Sequence, residues 1–598
     1  MTMNVGYLIT ARLKSTRLPQ KLFKDVQGKP ILAHMLDRLR LARSVDRIVI
    51  CTSSLPEDKP LVQFAEDHGV YCFQGDPEDV IARLHGATAH YGFDYVLNIT
   101  ADCPFADPAY ADRIVAHFTS QPADLIRAFD LPHGVFSYGI RPEALRRVLE
   151  VKDSTNTEVW GRYFTDTGLF DVHDLEVDPA HQHPELRMTL DYPEDLDFFR
   201  AVFAELHTPG KVFSLDDILS LLEQRPDIIA LNSDCARRFQ RRFVAQSAIE
   251  LRERHPVSRA GVVGCGSIGQ RHVRNLRELG VENVMALRSR KGHHQDLPAD
   301  LGVEETSDPR IFAEFEPDIV LVTNPSSLHV QTCLDLPASC RGVFIEKPLS
   351  HELAGVPPLL SHLRERRMTS FVGFNLQFHP AIQAARRFLE EQDLGRPLSF
   401  QCAVGHWLPD WHPYEDYTKA YYALEELGGG AALTLIHEIH LAVDLLGPGQ
   451  TVFAVLQRAA ELSIDVESQV DLLVTHRGGA VSQIHLDFLQ RKLCRNGFLS
   501  CCNGWVRYDL VDNIVEGQTA TDSTPRVLWQ QDTYDWNQSY LAEMQLFLRY
   551  VREGRQRHEF DAWRSALSLG IVDAARVSSS SAAAAKLPPL AQGTGRWV

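Results

Sequence analysis

Residues 260–280 read AGVVGCGSIGQRHVRNLRELG, and they come after more than 250 residues that already have a fold pattern of their own. A short apolar run meets a glycine turn, and the turn opens directly into a helical pattern. In Gly264-Cys265-Gly266-Ser267-Ile268-Gly269 the first glycine permits the tight turn, the second lets backbone approach a pyrophosphate, and the third allows helix and strand to pack closely. The helix N-terminus, with its unpaired N–H groups, then faces the anion. A lone glycine fingerprint is weak evidence. This one heads a fresh series of strand–helix units running from Arg259 to about Gly373, so the chain starts a second nucleotide-binding fold here. About twenty residues on, the second strand of that series ends in Met285-Ala286-Leu287-Arg288-Ser289-Arg290. A carboxylate at this place would hold a ribose diol; two arginines and a serine suit a 2′-phosphate, so NADP is expected ahead of NAD.

Working back from that point, apolar runs alternate with helical patterns from the start: GYLIT (6–10), PILAHMLDRLRLA (30–42), RIVICT (47–52), PLVQFAEDHG (60–69) and YVLNIT (95–100). Such alternation builds a parallel sheet with helices on both faces. It predicts a first α/β domain over 1–206, closed by a helix from Glu194 to Leu206. Residues 207–257 are charged and arginine-rich, including RRFQRRF at 237–243, and read as a helical linker. Forward from the second domain (258–375), segments such as SFQCAVG (399–405), TVFAVLQ (451–457), SQVDLLVTH (468–476) and AVSQIHLDF (480–488) predict an α+β domain over 376–577. Its sheet is expected to be open and mostly antiparallel, with a helix from Tyr540 to Val551 packing back. Residues 578–598 are of low complexity and read as a flexible tail.

Length and composition agree with several domains of a soluble α/β protein. The formal net charge of −17 over 598 residues, with no long basic block, argues against nucleic acid or an anionic membrane as the main partner. No apolar stretch is long enough to span a bilayer, and Met1–Thr10 lacks the pattern of an export signal. The eleven cysteines form no CxxC pair, which suits a reducing, cytoplasmic setting.

The first strand runs into Ala11-Arg12-Leu13-Lys14-Ser15-Thr16-Arg17-Leu18-Pro19-Gln20-Lys21. Cations and hydroxyls in a loop at the carboxyl end of a parallel strand lie where such folds bind ligands. Arg12, Arg17 and Lys21, with backbone donors from Ala11 to Ser15, could hold a triphosphate. Two more segments place carboxylates beside it: Asp102 follows a buried strand and Asp191 precedes a helix. Two strand-end carboxylates near a triphosphate are what Mg²⁺ requires.

Across about 1–205, ARLKSTRLPQKLF (11–23), TADCPFADP (100–108) and RMTLDYPEDLDFF (187–199) resemble, in order and spacing, the cytidylyltransferases that activate acylneuraminate and 3-deoxy-manno-octulosonate. The spore-coat polysaccharide branch of that family is the nearest likeness. The resemblance implies a nucleotide-diphospho-sugar-transferase-like α/β fold. It implies that Ala11, Arg12, Ser15, Arg17, Lys21 and Asp102 bind CTP, with Arg12 and Lys21 on its phosphates, and that Asp102 and Asp191 hold Mg²⁺. Gln74-Gly75-Asp76 and Glu78-Asp79-Val80 correspond to the family's loop near sugar and metal. The chain departs from the branch at Pro132-His133-Gly134-Val135-Phe136-Ser137-Tyr138, where an acidic residue usually follows the turn, and at Thr157-Glu158-Val159-Trp160-Gly161-Arg162. The acceptor, an acidic sugar or a related acid such as a phosphonate, therefore stays open.

In the second half, Thr323-Asn324-Pro325-Ser326-Ser327-Leu328-His329, Phe344-Ile345-Glu346-Lys347-Pro348, Val372-Gly373-Phe374-Asn375 and Gly428-Gly429-Gly430 through His437 and His440 resemble the glucose-fructose oxidoreductase and inositol dehydrogenase family over about 258–550. The resemblance implies a cofactor site made by Gly264, Gly266, Ser267, Ile268, Gly269, Arg288, Ser289, Arg290, Asn324, Pro325, His329, Glu346 and Lys347. It implies that Lys347 polarises the substrate oxygen while His437 moves its proton, because hydride loss from an alcohol must be matched by loss of the hydroxyl proton. Members often carry aspartate three residues either side of that histidine; here the residues are Thr434 and His440, and His440 is an alternative relay.

Together these readings describe a bifunctional enzyme of surface-polysaccharide or related acid-sugar biosynthesis, using CTP, Mg²⁺ and NADP or NAD. The open sheet makes a homo-oligomer the expected assembly. Three alternatives stand beside it: a cytidylyltransferase with a binding-only second half, a dehydrogenase with a scaffold first half, and the same chemistries in phosphonate biosynthesis.

Overall fold

The computed structural model describes residues 3–15, 17–233, 235–236, 238–239, 249–290, 297–298, 301–411 and 415–587. The chain divides into two compact units, 1–252 and 253–592.

The first unit is built on a seven-stranded sheet. Its strands are β1 (Val5–Thr10), β2 (Arg47–Ser53), β3 (Tyr71–Gly75), β4 (Tyr95–Thr100), β5 (Leu125–Arg127), β6 (Tyr138–Ile140) and β7 (Val172–Asp174). They lie in the order β3-β2-β1-β4-β6-β5-β7, with β3, β2, β1 and β4 parallel. Tyr7, Leu8 and Ile9 are fully buried because helices cover both faces, and so β1 reads as an unbroken apolar run. The strand order reverses at β1, which has β2 on one side and β4 on the other. Loops leaving the carboxyl ends of β1 and β4 therefore flank the crevice where α/β sheets take ligands. Those loops carry Ala11–Lys21 and Asp102.

The stretch expected to be a linker belongs to this unit's core. Helices Leu215–Gln224 and Pro226–Ala230 bury Leu215, Ile218, Leu222 and Ile228 in the cluster that holds Phe198, Phe199 and Phe203 of helix Pro193–Leu206. Charge on their outer faces hid this apolar stripe from a composition-level reading. RRFQRRF lies mostly outside the described residues.

The second unit opens with a parallel sheet: β8 (Arg259–Val263), β9 (Asn283–Leu287), β10 (Glu304–Thr306), β11 (Ile319–Val322), β12 (Gly342–Glu346) and β13 (Thr369–Gly373). The order is β10-β9-β8-β11-β12-β13, so the reversal falls between β8 and β11. A nine-stranded sheet follows, with strands Pro397–Gly405, Gly449–Gln457, Gln469–His476, Val481–Asp487, Cys494–Cys501, Gly504–Asp509, Ile514–Thr519, Arg526–Gln530 and Ala585–Lys586. All its pairings are antiparallel except Pro397–Gly405 with Val481–Asp487. One core joins Rossmann residues such as Val320 and Ile345 to Leu472, Ile484 and Leu569 of the C-terminal domain. The expected helix is present as Asn537–Glu553.

The start of the flexible tail is a correction. Helix Ala562–Ser581 runs through the serine-rich segment, and its hydroxyls satisfy strand amides: Ala454 N donates to Ser578 Oγ and Leu456 N to Ser579 Oγ, both at 3.0 Å. Residues 588–598 lie outside the described residues. Among the described residues no single helix is long and apolar enough to cross a membrane.

Candidate active sites

In the first unit, Lys21, Asp102 and Asp191 come together although they lie 81 and 170 residues apart. Lys21 Nζ donates to Asp102 Oδ2 at 2.7 Å and to Asp191 Oδ1 at 3.0 Å. Arg17 Nη2 donates to Asp191 Oδ1 at 2.9 Å, with its guanidinium over the Tyr192 ring. Leu190 N donates to the Asp102 carbonyl at 2.8 Å, which fastens the Asp191 segment to the end of β4.

Asp191 is aimed by neighbours that sequence reasoning passed over. Arg187 Nη2 donates to Asp191 Oδ2 at 2.9 Å and Arg187 Nε to Asp195 Oδ1 at 3.1 Å. Asp195 Oδ2 in turn accepts from Asp191 N and Tyr192 N, and Asn232 Nδ2 donates to Asp195 Oδ1 at 3.1 Å. The Arg187, Asp191, Asp195 spacing of four was the available signal. Burial alone would raise the Asp191 carboxyl; Lys21, Arg17 and Arg187 outweigh it and hold it below the ordinary carboxylate range. Burial would likewise lower the Lys21 ammonium, and Asp102 and Asp191 outweigh it and raise it.

Asp102 and Asp191 thus point one oxygen each at a single ammonium. Two carboxylates converging on one cationic point are a donor set that a hard divalent ion accepts, so the residues fit Mg²⁺. When bound there it would supply positive charge for phosphoryl transfer.

Arg12 is placed differently from the expectation. Its Nε lies 2.6 Å from Asp58 Oδ2 and its Nη1 donates to the Pro77 carbonyl. Asp58 is fully buried, takes the Ser53 hydroxyl, and accepts from Leu13 N at 2.8 Å, so it pins the loop after β1. Ala11 N continues the sheet to Cys51 O, and Ser15 Oγ accepts from Leu18 N in a turn. Thr16 lies outside the described residues. In the loop after β3, Asp76 Oδ1 accepts from Glu78 N and Asp79 N, while Asp79 pairs with Lys152 and takes the Thr157 hydroxyl.

His133 is half-buried near Arg187, Asp102 and Asp191; burial, then Arg187, lower its imidazole to about 4, so it is neutral at pH 7. Tyr138 and Trp160 meet edge to face at 5.1 Å, and Phe136 packs against Tyr138. Gly134 has φ +98°, and a Cβ there would overlap the Met188 carbonyl, which itself precedes Asp191.

In the second unit, Gly264 has φ +86° and a Cβ on it would lie 2.7 Å from Asn324 backbone, so the first glycine lets the β8 and β11 loops touch. A Cβ on Gly269 would overlap the Gly264 carbonyl, the close packing expected of the third glycine. A Cβ on Gly266 would meet nothing within 4 Å, which leaves that side open to an approaching pyrophosphate. Gly266 caps helix Ser267–Glu278, with Ser267 exposed and Ile268 half-buried at its start.

Arg288 and Arg290 are not free. Arg288 Nη1 and Arg290 Nη2 each lie 2.5 Å from an oxygen of Glu305, which stands on β10 beside the end of β9. The arginines bring that carboxyl below its ordinary range. The expectation of NADP rested on two arginines and a serine where β9 lacks a carboxylate; the neighbouring strand supplies that carboxylate.

Lys347 and His437 are brought to one place, 90 residues apart in sequence, and the lysine's charge is felt by the imidazole. Lys347 Nζ donates to the Thr434 carbonyl at 2.9 Å, so Thr434 contributes its backbone where a carboxylate was looked for. Burial first, then Lys347, Arg495 and His440, push the His437 imidazole well below its ordinary value. Its Nδ1 is buried without a hydrogen-bond partner among the described residues. His440 is buried, stacked on Phe374 at 3.7 Å, and bonded through Nδ1 to Ser568 Oγ at 3.0 Å. His329 and Glu346 hold the neighbouring loops through hydrogen bonds. His329 places one ring nitrogen 2.9 Å from Asn324 O and the other 2.9 Å from Pro348 O, so it links the two loops. Glu346 accepts from Lys347 N and lies 2.7 Å from His272 Nε2. Asn324 Nδ2 donates to Thr332 Oγ1, and Pro325 starts the turn Ser326–Leu328.

Comparison with known proteins now decides the families. Residues 7–180 match the cytidylyltransferase family model, 258–374 the NAD-binding Rossmann model of the GFO/IDH/MocA oxidoreductase family, and 382–498 that family's C-terminal domain. The chain joins a cytidylyltransferase domain to a GFO/IDH/MocA oxidoreductase. It is 26% identical over 232 residues to the spore coat polysaccharide biosynthesis protein SpsF of Bacillus subtilis, covering 38% of this chain and 96% of that one. It is 32% identical over 123 residues to 3-deoxy-manno-octulosonate cytidylyltransferase of Geobacter sulfurreducens, covering 20% of this chain and 48% of that protein, about half its length. The oxidoreductase half shares its fold with levoglucosan dehydrogenase in complex with NADH and L-sorbose: TM-score 0.51, 17% identity, 56% of this chain and 100% of that one. Both halves of this cytidylyltransferase–oxidoreductase chain are enzyme domains, and the second is of an NAD-binding type.

Proposed function

We propose that the N-terminal domain transfers a cytidylyl group from CTP to an acidic sugar or a related acid, and that the C-terminal domain moves hydride between a nicotinamide cofactor and a hydroxyl or carbonyl carbon of that product or its precursor. The convergence of Asp102 and Asp191 on Lys21 at the reversal point of the sheet carries the reading. An acceptor oxyanion would attack the α-phosphorus and expel pyrophosphate, with Arg17 and Lys21 beside the charge that develops. In the second site His437, neutral at physiological pH, takes the hydroxyl proton while Lys347 holds the oxygen.

The cofactor is NAD(H) in this proposal, with Glu305 accepting from the ribose diol while Arg288 and Arg290 hold the carboxylate. Exposed Phe453, Val455, Leu473 and Phe498 on the uncovered face of the nine-stranded sheet support a homo-oligomer. A role in surface-polysaccharide or related acid-sugar biosynthesis follows from joining these two chemistries.

The test is pyrophosphate release from CTP and Mg²⁺ over a panel of sugar acids and phosphonates, run with and without NADH. Release with one acid names the acceptor and supplies the compound for hydride transfer. CTP binding without release for any acid, at any Mg²⁺ concentration, refutes the transferase assignment of substrate class.

A further inference from the structure

Glu346 of the Glu-Lys-Pro segment also belongs to a buried cluster with His272 and Glu543, which take no part in either proposed reaction. His272 comes from helix Ser267–Glu278, Glu346 is the last residue of β12, and Glu543 comes from helix Asn537–Glu553. One ligand atom from each lies within 4.8 Å of the others, and all three side chains are buried, His272 and Glu543 completely. His272 Nε2 and Glu346 Oε1 face each other at 2.7 Å. Both oxygens of Glu543 are buried with no hydrogen-bond partner among the described residues.

Among the described residues no lysine or arginine pairs with Glu346 or Glu543. Lys347, next to Glu346, sends its ammonium to the Thr434 carbonyl. Arg271 lies over the Tyr540 ring at 4.5 Å, and Arg495 pairs with Glu438. Two carboxyl groups in a dry interior must be balanced by positive charge or by protons, and His272 faces only Glu346. A divalent cation balances the set and gives the stranded Glu543 a partner.

We propose that His272, Glu346 and Glu543 bind a divalent transition-metal cation of the zinc class, separate from the Mg²⁺ of the nucleotidyl site. One imidazole nitrogen with two carboxylates favours Zn²⁺, Mn²⁺ or Fe²⁺ over Mg²⁺ or Ca²⁺, which take all-oxygen sets. The ion would tie the cofactor-binding helix and helix Asn537–Glu553 to the strand that delivers Lys347. Asn537 Nδ2 already docks these two helices on Asn275 Oδ1 at 3.0 Å. Carboxylate and imidazole ligands bind a cation only when deprotonated, so metal uptake releases protons and weakens as pH falls.

The experiment uses the full chain, purified without chelator, loaded with Zn²⁺ in excess Mg²⁺ and desalted, with metal content read by plasma mass spectrometry. About one equivalent of zinc per chain is expected for the natural protein and for Asp191→Asn, with loss of that equivalent in Glu543→Gln and His272→Gln. Equal zinc in the natural protein and Glu543→Gln overturns the proposal, as does loss in Asp191→Asn alone; the cluster then holds a shared proton. Should the variants fail to fold, calorimetric titration of the chelator-stripped natural protein with Zn²⁺ decides. One site with proton release supports the proposal, and no site refutes it.

Discussion

Replacing Lys21 with methionine keeps the length of the side chain and removes the charge between Asp102 and Asp191. The ammonium lies 2.7 and 3.0 Å from the two carboxylates, and its side chain is 11% exposed. At these separations each attraction is about 6 kcal/mol for an effective dielectric of ~20, and desolvation offsets most of it. Removing one partner from such a buried set costs about 3–5 kcal/mol. Arg17 and Arg187 stay on Asp191, which places the cost near the lower end, about 3 kcal/mol. For a domain of this size that lowers Tm by roughly 6–12 °C. The loss is the distinctive part: it is expected in EDTA and is largely reversed by Mg²⁺, since ion at about a hundredfold over its Kd contributes about 2.7 kcal/mol. Pyrophosphate release falls by about 10²–10³. The Asp191 carboxyl is depressed on folding, so its contribution is present above the unfolded value of 3.8 and is lost as pH falls through the folded one. The Lys21 ammonium is raised, so its contribution is complete below 10.5 and lost only above that. Both act fully at pH 7, where calorimetry with EDTA or Mg²⁺ would be run. Equal melting of the natural protein and Lys21→Met, with no response to Mg²⁺ in either, refutes the shared cation point.

Three further outcomes are expected. Gly134→Ala, forced to φ +98° against the Met188 carbonyl, should lower stability by about 2–4 kcal/mol in denaturant unfolding and impair CTP turnover, because Met188 leads into Asp191; unchanged stability would refute the close approach. His437→Asn should cut hydride transfer by about 10²–10⁴ without changing cofactor binding. With the folded imidazole depressed, kcat/KM of the natural protein should stay flat as pH drops through 6.5, and a fall centred there would contradict the buried, neutral base; the same depression means folding stability decreases below 6.5, where the unfolded chain takes up the proton. Glu305→Gln removes the carboxylate shared by Arg288 and Arg290, so the NADPH-to-NADH ratio of kcat/KM should rise by about tenfold or more, read from steady-state rates; an unchanged ratio shows that the carboxylate does not face the ribose.

The division into two nucleotide-binding units was legible because local patterns carry it: GYLIT before Ala11–Lys21, and AGVV before Gly264–Gly269, are strands feeding loops whose residue types are tied to phosphate. Lys21, Asp102 and Asp191, and Lys347 with His437, were equally legible as candidates. Segment resemblance marked them, and the fold brought each set together. Elsewhere a candidate side chain has a partner from a distant segment that no local pattern shows. Arg12 read as a phosphate ligand until Asp58 was seen beside it. Arg288 and Arg290 read as a 2′-phosphate seat until β10 supplied Glu305. His440 looked available until Ser568 of the last long helix bonded it.

By itself the sequence determined what repeats along a few residues: apolar runs for buried parallel strands, glycines for turns that touch phosphate, and the order of domains. Tertiary structure alone decided which charges are spent on one another. That choice depends on side chains meeting across 15 residues, as for Arg290 and Glu305, or across nearly 200, as for Glu346 and Glu543, and no local period encodes such distances.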